Sequence, residues 1–516
     1  MKNIFGMIGS KLLVFFFLLI VGYANAGVPT PTVSIAPSGS HGFPFSSSGL
    51  NLRDYGYVEE EFFIAGTAQA YANDGVFGND GVWNAKPNPG LTAAYKTRLL
   101  VRRPANGRFN GTVIVEWLNV TAGREGSPDW SFTYKELLRE GYAYVAVSAQ
   151  YIGVAFNQQW DPARYATLTH PGDSFSYDIF SQAAKAIESP ARGNPKPLGN
   201  LTSRVRAIIA AGESQSASRL WTYYNAVHPA DKVFDGFLIH SMGVGAALSQ
   251  SYAAAIGGSP NQIIPPPAGV PATPNIPVPG GAGAVIRADQ KEPVLFLNAE
   301  TDVSGIFGFP GLHSQPDSAV FRLWEVAGTA HGDKYLIESG AVDAEKSGVA
   351  FSLDCGNPPV NSGPHTFVAR AAVHSLNKWV RTGVPAPVGP RFNLVGFALE
   401  RDPVTGIVTS GIKLPQVAVP VATLTGVRPQ GAIASNPFCV LFGATDPWNG
   451  NGDAWDGVAG FDPVSVDPDP RALYLTRHKY LREYKRALAQ SIKQGFVRPR
   501  DVKEVYQEAA AADLWH

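Results

Sequence analysis

Two cysteines in 516 residues are too few for a disulfide scaffold or a cysteine-built metal centre. An excess of charge is also missing: 42 lysines and arginines face 42 aspartates and glutamates, and only 16% of the chain is charged. That balance excludes a basic nucleic-acid binder and a highly charged disordered chain. The 54 glycines and 41 prolines follow no triplet period, so a fibrous chain is excluded too. Beyond the first 26 residues, no stretch reaches the roughly 18 uninterrupted apolar positions of a membrane-spanning helix. What remains is a chain 45% hydrophobic, enough for a large core.

The first 26 residues follow another logic. Lys2 and Lys11 precede the apolar run Leu12 to Val21, and Ala24-Asn25-Ala26 follows as a small-residue cleavage site. The pattern predicts a signal peptide cleaved near Ala26 and an exported protein, periplasmic or secreted. No cysteine follows the cleavage site to carry a lipid, so no stable membrane insertion is expected. In an oxidising compartment Cys355 and Cys439 are expected to form a disulfide closing a long loop, with two buried free thiols as the alternative.

Residues 27–55 read as an extended leader rich in Pro, Ser and Gly. Strand patterns follow at Tyr57 to Tyr71 and Tyr95 to Arg103. Short continuous apolar runs then recur at Thr112 to Leu118, Tyr142 to Ser148, Val205 to Ala211, Phe234 to His240, Pro293 to Asn298 and Val320 to Val326. Strands buried on both faces have this composition. Helical patterns lie between them, one closing at Gly141, others over Ser174 to Ala191 and Ser216 to Asn225. The alternation predicts an α/β fold built on a doubly wound, mostly parallel sheet. Residues 56–384 read as the core. It is interrupted at 246–289 by a Gly/Pro-rich insertion with Pro-Pro-Pro at 265–267, a candidate lid. Thr366 to Arg381 reads as an amphipathic helix, and 385–516 as a C-terminal extension in which Arg471 to Gln494 forms one long helix ended by Gly495.

The run Val205 to Ala211 leads into Gly212-Glu213-Ser214-Gln215-Ser216 and then into a helix. This is the strand, tight turn, helix context of a nucleophile elbow, where the residues two before and two after the serine must be small. Ser216 replaces the usual second glycine. A serine-rich turn capping a helix is the alternative. Chain order strengthens the nucleophile reading, because an acid follows the later strand Pro293 to Asn298 and a histidine follows the last one, Val320 to Val326. Asp302 is the favoured acid, Glu300 the possible alternative, and His331 the base. A developing oxyanion needs backbone donors, and Gln215 and Val120 occupy the expected positions. Tyr165 to Asp178, with His170, Asp173 and Ser174, is a candidate pocket wall or, alternatively, a helix cap.

The stretches Gly56 to Glu61, Val115 to Val120, Pro128-Asp129-Trp130, Val147 to Gln150, His170 to Ser174 and Ala327 to His331 together resemble the bacterial "alpha/beta hydrolase domain" family of exported esterases. The resemblance covers roughly residues 55–510. It implies the α/β-hydrolase fold, a Ser214, acid, His331 triad, an extension integral to the core, and a Cys355–Cys439 pairing across that extension. It supplies no substrate. The expectation is a serine hydrolase of carboxylic esters with no cofactor and no metal, acting on a small-molecule or polymer-derived ester. An amidase or peptidase with the same triad and a non-catalytic binding protein on the same scaffold are the alternatives.

Overall fold

A computed structural model describes residues 27–105, 107–241, 284–303, 315–349, 353–396, 398–428, 436–448 and 468–512. The segment read as a signal peptide and most of the 246–289 insertion lie outside the described residues. Nine strands form one sheet: β1 (Thr32–Ile35), β2 (Tyr57–Asn73), β3 (Ala85–Pro104), β4 (Thr112–Trp117), β5 (Ala143–Val147), β6 (Ala207–Glu213), β7 (Gly236–His240), β8 (Val294–Ala299) and β9 (Phe321–Val326). Their spatial order is β1-β2-β3-β5-β4-β6-β7-β8-β9. The first three strands and β5 pair antiparallel, whereas β5, β4 and β6 through β9 run parallel.

The apolar runs behave as their composition predicts. Every residue of β4, β5, β6, β7 and β8 is buried, because helices cover both faces. In β4, Val113, Val115 and Trp117 join a core with Phe180 and Trp221. Ile114 joins the other, with Phe367, Leu376 and Trp379. The period-two alternation therefore divides one apolar strand between two cores. Helix Pro128–Glu140 ends at Gly141 in the left-handed conformation (φ 75°), and His365–Thr382 ends the same way at Gly383 (φ 72°).

Three boundaries differ from the sequence reading. The leader contributes an edge strand, with Val33 paired to Ile64. Strands β2 and β3 extend well past their apolar stretches because they pair with each other nearly end to end. The long C-terminal helix is two: Pro470–Tyr474 stops at Leu475 (φ 62°), and Arg477–Gln494 restarts behind Thr476, whose side chain accepts from Lys479 N. The region beyond 385 also touches the sheet directly, since Ile412 bridges β9 at Val326. Cys355 and Cys439 form a disulfide with Cα atoms 5.5 Å apart. Among the described residues, no helix is long and apolar enough to cross a membrane.

Candidate active site

Strand β6 ends at Glu213, and helix Gln215–Thr222 begins one residue after Ser214. The chain must therefore reverse at a single residue, and Ser214 takes φ 61° and ψ −125°, a conformation rarely tolerated by a side-chain-bearing residue. Its N–H donates to His240 O at 2.9 Å, which fixes the turn against β7. Gly212 is small for the expected reason: a Cβ there would lie 3.0 Å from Leu220 Cδ1 and 3.1 Å from the Ser216 backbone.

Strands β8 and β9 end beside it. A four-residue helix, Glu300–Val303, follows β8 and carries Asp302, whose Oδ2 accepts from Ala299 N at 2.7 Å. After β9, the His331 backbone N–H donates to Thr301 Oγ1 at 3.2 Å, tying the two loops together. The result is a continuous chain: His331 Nε2 lies 2.9 Å from Ser214 Oγ, and Nδ1 lies 2.7 Å from Asp302 Oδ1. All three residues are buried, Ser214 being the most exposed at 8%.

Glu300 is turned elsewhere. Its carboxylate accepts from Gly328 N at 2.6 Å and Gly426 N at 3.0 Å and pairs with Arg401 at 2.7 Å. It joins the turn after β8, the loop carrying His331 and the C-terminal extension. Gln215 directly follows Ser214, and its side chain donates to Gln150 Oε1 at 2.6 Å. Val120 is 1% exposed, and its carbonyl accepts from Gly123 N at 2.9 Å. Its neighbours Asn119, Thr121 and Ala122 line the cavity over Ser214.

That cavity holds about 230 Å³, with Glu213, Ser214 and His331 in its lining. Phe45, Leu336, Phe438, Leu441 and Phe442 give it a largely apolar wall. Two of its fastenings are visible. Phe45 O accepts from the buried Arg98 at 2.9 Å, and Arg98 also pairs with Glu61 and Glu125 at 2.9 and 2.6 Å. The segment carrying Cys439 is held to the base loop by Gly332 N donating to Leu441 O at 2.9 Å. The candidate wall at Tyr165 to Asp178 does not line this cavity. Asp173 accepts from Tyr151 N at 2.8 Å and Gln150 Nε2 at 3.1 Å, and the His170 ring meets Ala149 O at 2.9 Å, so these side chains brace the β5 turn. Trp117 and Trp130 are core residues, and Trp160 stacks on His41 at 3.8 Å.

Three features escaped the sequence reading. Glu213 Oε1 lies 3.2 Å from His331 Nε2, and Asn119 Nδ2 lies 3.3 Å from Glu213 Oε2. The sequence shows a carboxylate directly before Ser214, but not that it meets a histidine 118 positions on. Burial pushes the Glu213 carboxyl up to about 8. Burial alone would lower the His331 imidazole, but Glu213 and then Asp302 raise it to about 9. Burial would raise Asp302, and His331 holds it below the ordinary value instead.

Behind the serine lies the third, a buried chain: Asp129 Oδ1 is 2.9 Å from His240 Nδ1, His240 Nε2 is 2.8 Å from His365 Nε2, and His365 Nδ1 is 3.0 Å from Ala330 O. A carbonyl only accepts, so His365 Nδ1 carries a hydrogen. With both rings neutral, each following contact is then fixed, and Asp129 must be the protonated donor to His240. Burial acts in the same sense, pushing Asp129 up to about 8 and both histidines down to about 3. Among the described residues, no group of three or more His, Cys, Asp or Glu is arranged to hold a metal.

A mostly parallel sheet with a serine at the strand-to-helix turn after β6, and an acid and a histidine after later strands, defines an α/β hydrolase. The sequence matches the alpha/beta hydrolase domain family over residues 28–507, and the chain belongs to that family. No curated protein matches it. Similar solved structures include a glucuronoyl esterase from Solibacter usitatus (11% identity, 42% of this chain and 54% of that one, TM-score 0.20). Others are a putative acetyl xylan esterase from Bacteroides fragilis (12%, 58% and 70%, TM-score 0.27) and a glucuronoyl esterase from Teredinibacter turnerae (12%, 70% and 81%, TM-score 0.28). The chain spans about half the length of the Solibacter enzyme.

Proposed function

We propose that the protein is an exported serine hydrolase that cleaves a carboxylic ester through an acyl-enzyme. One observation carries this reading: the 2.9 and 2.7 Å contacts that link Ser214, His331 and Asp302, with Ser214 held in a left-handed turn at the cavity floor. Ser214 Oγ attacks the acyl carbon as its proton passes to His331 Nε2, and the carbonyl oxygen takes the negative charge. The backbone N–H groups of Gln215 and Val120 are assigned to that oxyanion. On collapse the bond to the alcohol oxygen breaks, and Nε2 returns the proton to the leaving alkoxide. Water, deprotonated by the same nitrogen, then releases the acid. Asp302 accepts from Nδ1–H throughout and keeps Nε2 available as the base.

The apolar wall favours an apolar group on one side of the ester. The basic, apolar and small-residue sequence of residues 1–26 and the Cys355–Cys439 bond support export. A fluorophosphonate probe tests the reading directly: it is expected to label the purified protein at Ser214, and Ser214→Ala is expected to lose both the label and ester hydrolysis. An unlabelled wild-type protein, or hydrolysis that survives Ser214→Ala, rejects it. Parallel assay of matched amides separates an esterase from an amidase.

A further inference from the structure

The reaction drawn above leaves unused a second carboxyl in contact with the base. Glu213 Oε1 lies 3.2 Å from the same His331 nitrogen that meets Ser214 Oγ at 2.9 Å. A ring nitrogen and a carboxyl oxygen at that separation hold one proton between them, as N–H facing carboxylate or as O–H facing the bare nitrogen. The surroundings limit what else Glu213 can do. Asp302 sits on the far nitrogen of the ring, and Asp129 and Glu116 are the other acids that raise Glu213. His240, backed by His365, is held neutral by burial, and Arg124 lines the same cavity. Asn119 Nδ2 at 3.3 Å orients the second oxygen. Glu213 therefore faces the base from the substrate side, in a cavity that admits the ester.

Resting on the esterase reading, we propose that Glu213 is a second carboxylate on the base, steadying the His331 imidazolium of the addition step and setting the pH at which the enzyme becomes active. As Ser214 attacks, its proton moves to Nε2 and Glu213 faces the new N–H. When the proton leaves for the alkoxide, the contact reverts, so Glu213 neither gains nor loses a proton over the cycle. The same contact opposes the resting enzyme at low pH. A proton already held on Nε2 by Glu213 leaves no lone pair for the Ser214 hydroxyl, so the free base forms only as the pair releases that proton.

Glu213→Gln keeps the volume and an oxygen for Asn119 but removes the charge. The acid limb of its kcat/KM profile is expected to move down by about 1 to 3 pH units. Its plateau kcat is expected to fall roughly ten- to hundredfold through lost charge stabilisation. A profile and plateau that superimpose on the wild type overturn the proposal. Should the variant not fold, nitrogen-15 spectra of the Ser214→Ala protein decide the matter, because Glu213 then remains as the described partner of Nε2. The His331 Nε2 proton is expected to be lost only well above about 6.5 and in step with the Glu213 carboxyl, followed by its carbon-13 signal, and loss near that ordinary value or independently of Glu213 overturns the proposal. Labelling of Ser214 by fluorophosphonate with an unmoved Glu213→Gln profile rejects this role alone. Absence of labelling rejects the esterase reading and this role with it.

Discussion

Glu300 and Asp302 stand two positions apart on one turn, yet only Asp302 reaches the His331 ring, while Glu300 is spent on Arg401 and two backbone N–H groups. The two carboxylates are therefore separable by mutation. Asp302→Asn offers His331 Nδ1 an N–H in place of an acceptor, which forces the ring proton onto Nε2 and blocks the base. Turnover should fall on the order of 10⁴-fold, with little change in stability. Glu300→Gln should do the reverse, because it breaks a buried ion pair at a loss of about 3 kcal/mol while leaving the ring contacts in place. Denaturant unfolding and kcat for both variants check this. Equal losses of turnover would show that the acid role is not confined to Asp302.

The turn at Ser214 makes a second, sharper demand. A methyl group on Gly212 meets Ser216 backbone atoms at 3.1 Å, which cannot yield as a flexible side-chain tip can. Gly212→Ala should therefore shift the serine and not merely fill space. Displacement of a reacting atom by about 1 Å lowers rates on the order of 100-fold, so kcat should drop strongly with KM nearly unchanged. If kcat stays at the wild-type level, the small-neighbour rule has no force at this turn.

Why the sheet was legible and parts of the site were not follows from the physics each residue obeys. A strand covered on both faces has to be mostly apolar, so β4 through β9 announce themselves over five to seven residues. Gly212 lies near the end of β6, and Ser214 and His331 sit in turns whose geometry follows from the strands before them. Glu213 was not legible as a partner of His331, because contact between residues 118 positions apart depends on how two strand ends align, which no local pattern records. The break at Leu475 was hidden by an amphipathic pattern that runs through it. Thr476 carried the signal, since a threonine accepting from a backbone N–H three residues on is a helix start.

The disulfide is expected to bear on both stability and substrate preference. It joins residues 84 positions apart, for which chain entropy gives roughly 4 to 5 kcal/mol, so the Cys355→Ser, Cys439→Ser protein should unfold at clearly lower denaturant. Phe438, Leu441 and Phe442 belong to the bridged segment, and Leu441 O holds Gly332 beside the base. Loosening it should raise KM for esters with apolar acyl groups more than for acetate esters. An unchanged ranking of substrates would show that the wall keeps its shape without the bond. Two thiols titrating in the denatured, unreduced protein would remove the premise.

The buried trio Asp129, His240 and His365 gives stability a definite dependence on pH, in which opposite shifts compete. In the unfolded chain the aspartate titrates at about 3.9 and the histidines at about 6.5. In the folded protein burial raises Asp129 to about 8 and lowers both histidines to about 3. Between about pH 4 and 6.5 the unfolded trio binds two protons and the folded trio one, so stability rises with pH by roughly 1.4 kcal/mol per pH unit. Between about 6.5 and 8 the unfolded trio holds none and the folded trio still holds one on Asp129, so the contribution falls at a similar slope. The trio thus favours folding most near pH 6.5. Asp129→Asn replaces the carboxyl by an amide that donates to His240 Nδ1 without titrating. It should abolish the alkaline fall and steepen the rise on the acid side, where the folded trio then binds no proton against two. Unfolding free energies of both proteins across about pH 5 to 8 test this. Curves that run parallel above pH 6.5 would mean that Asp129 is ionised in the folded protein, with the proton resting on a histidine or absent.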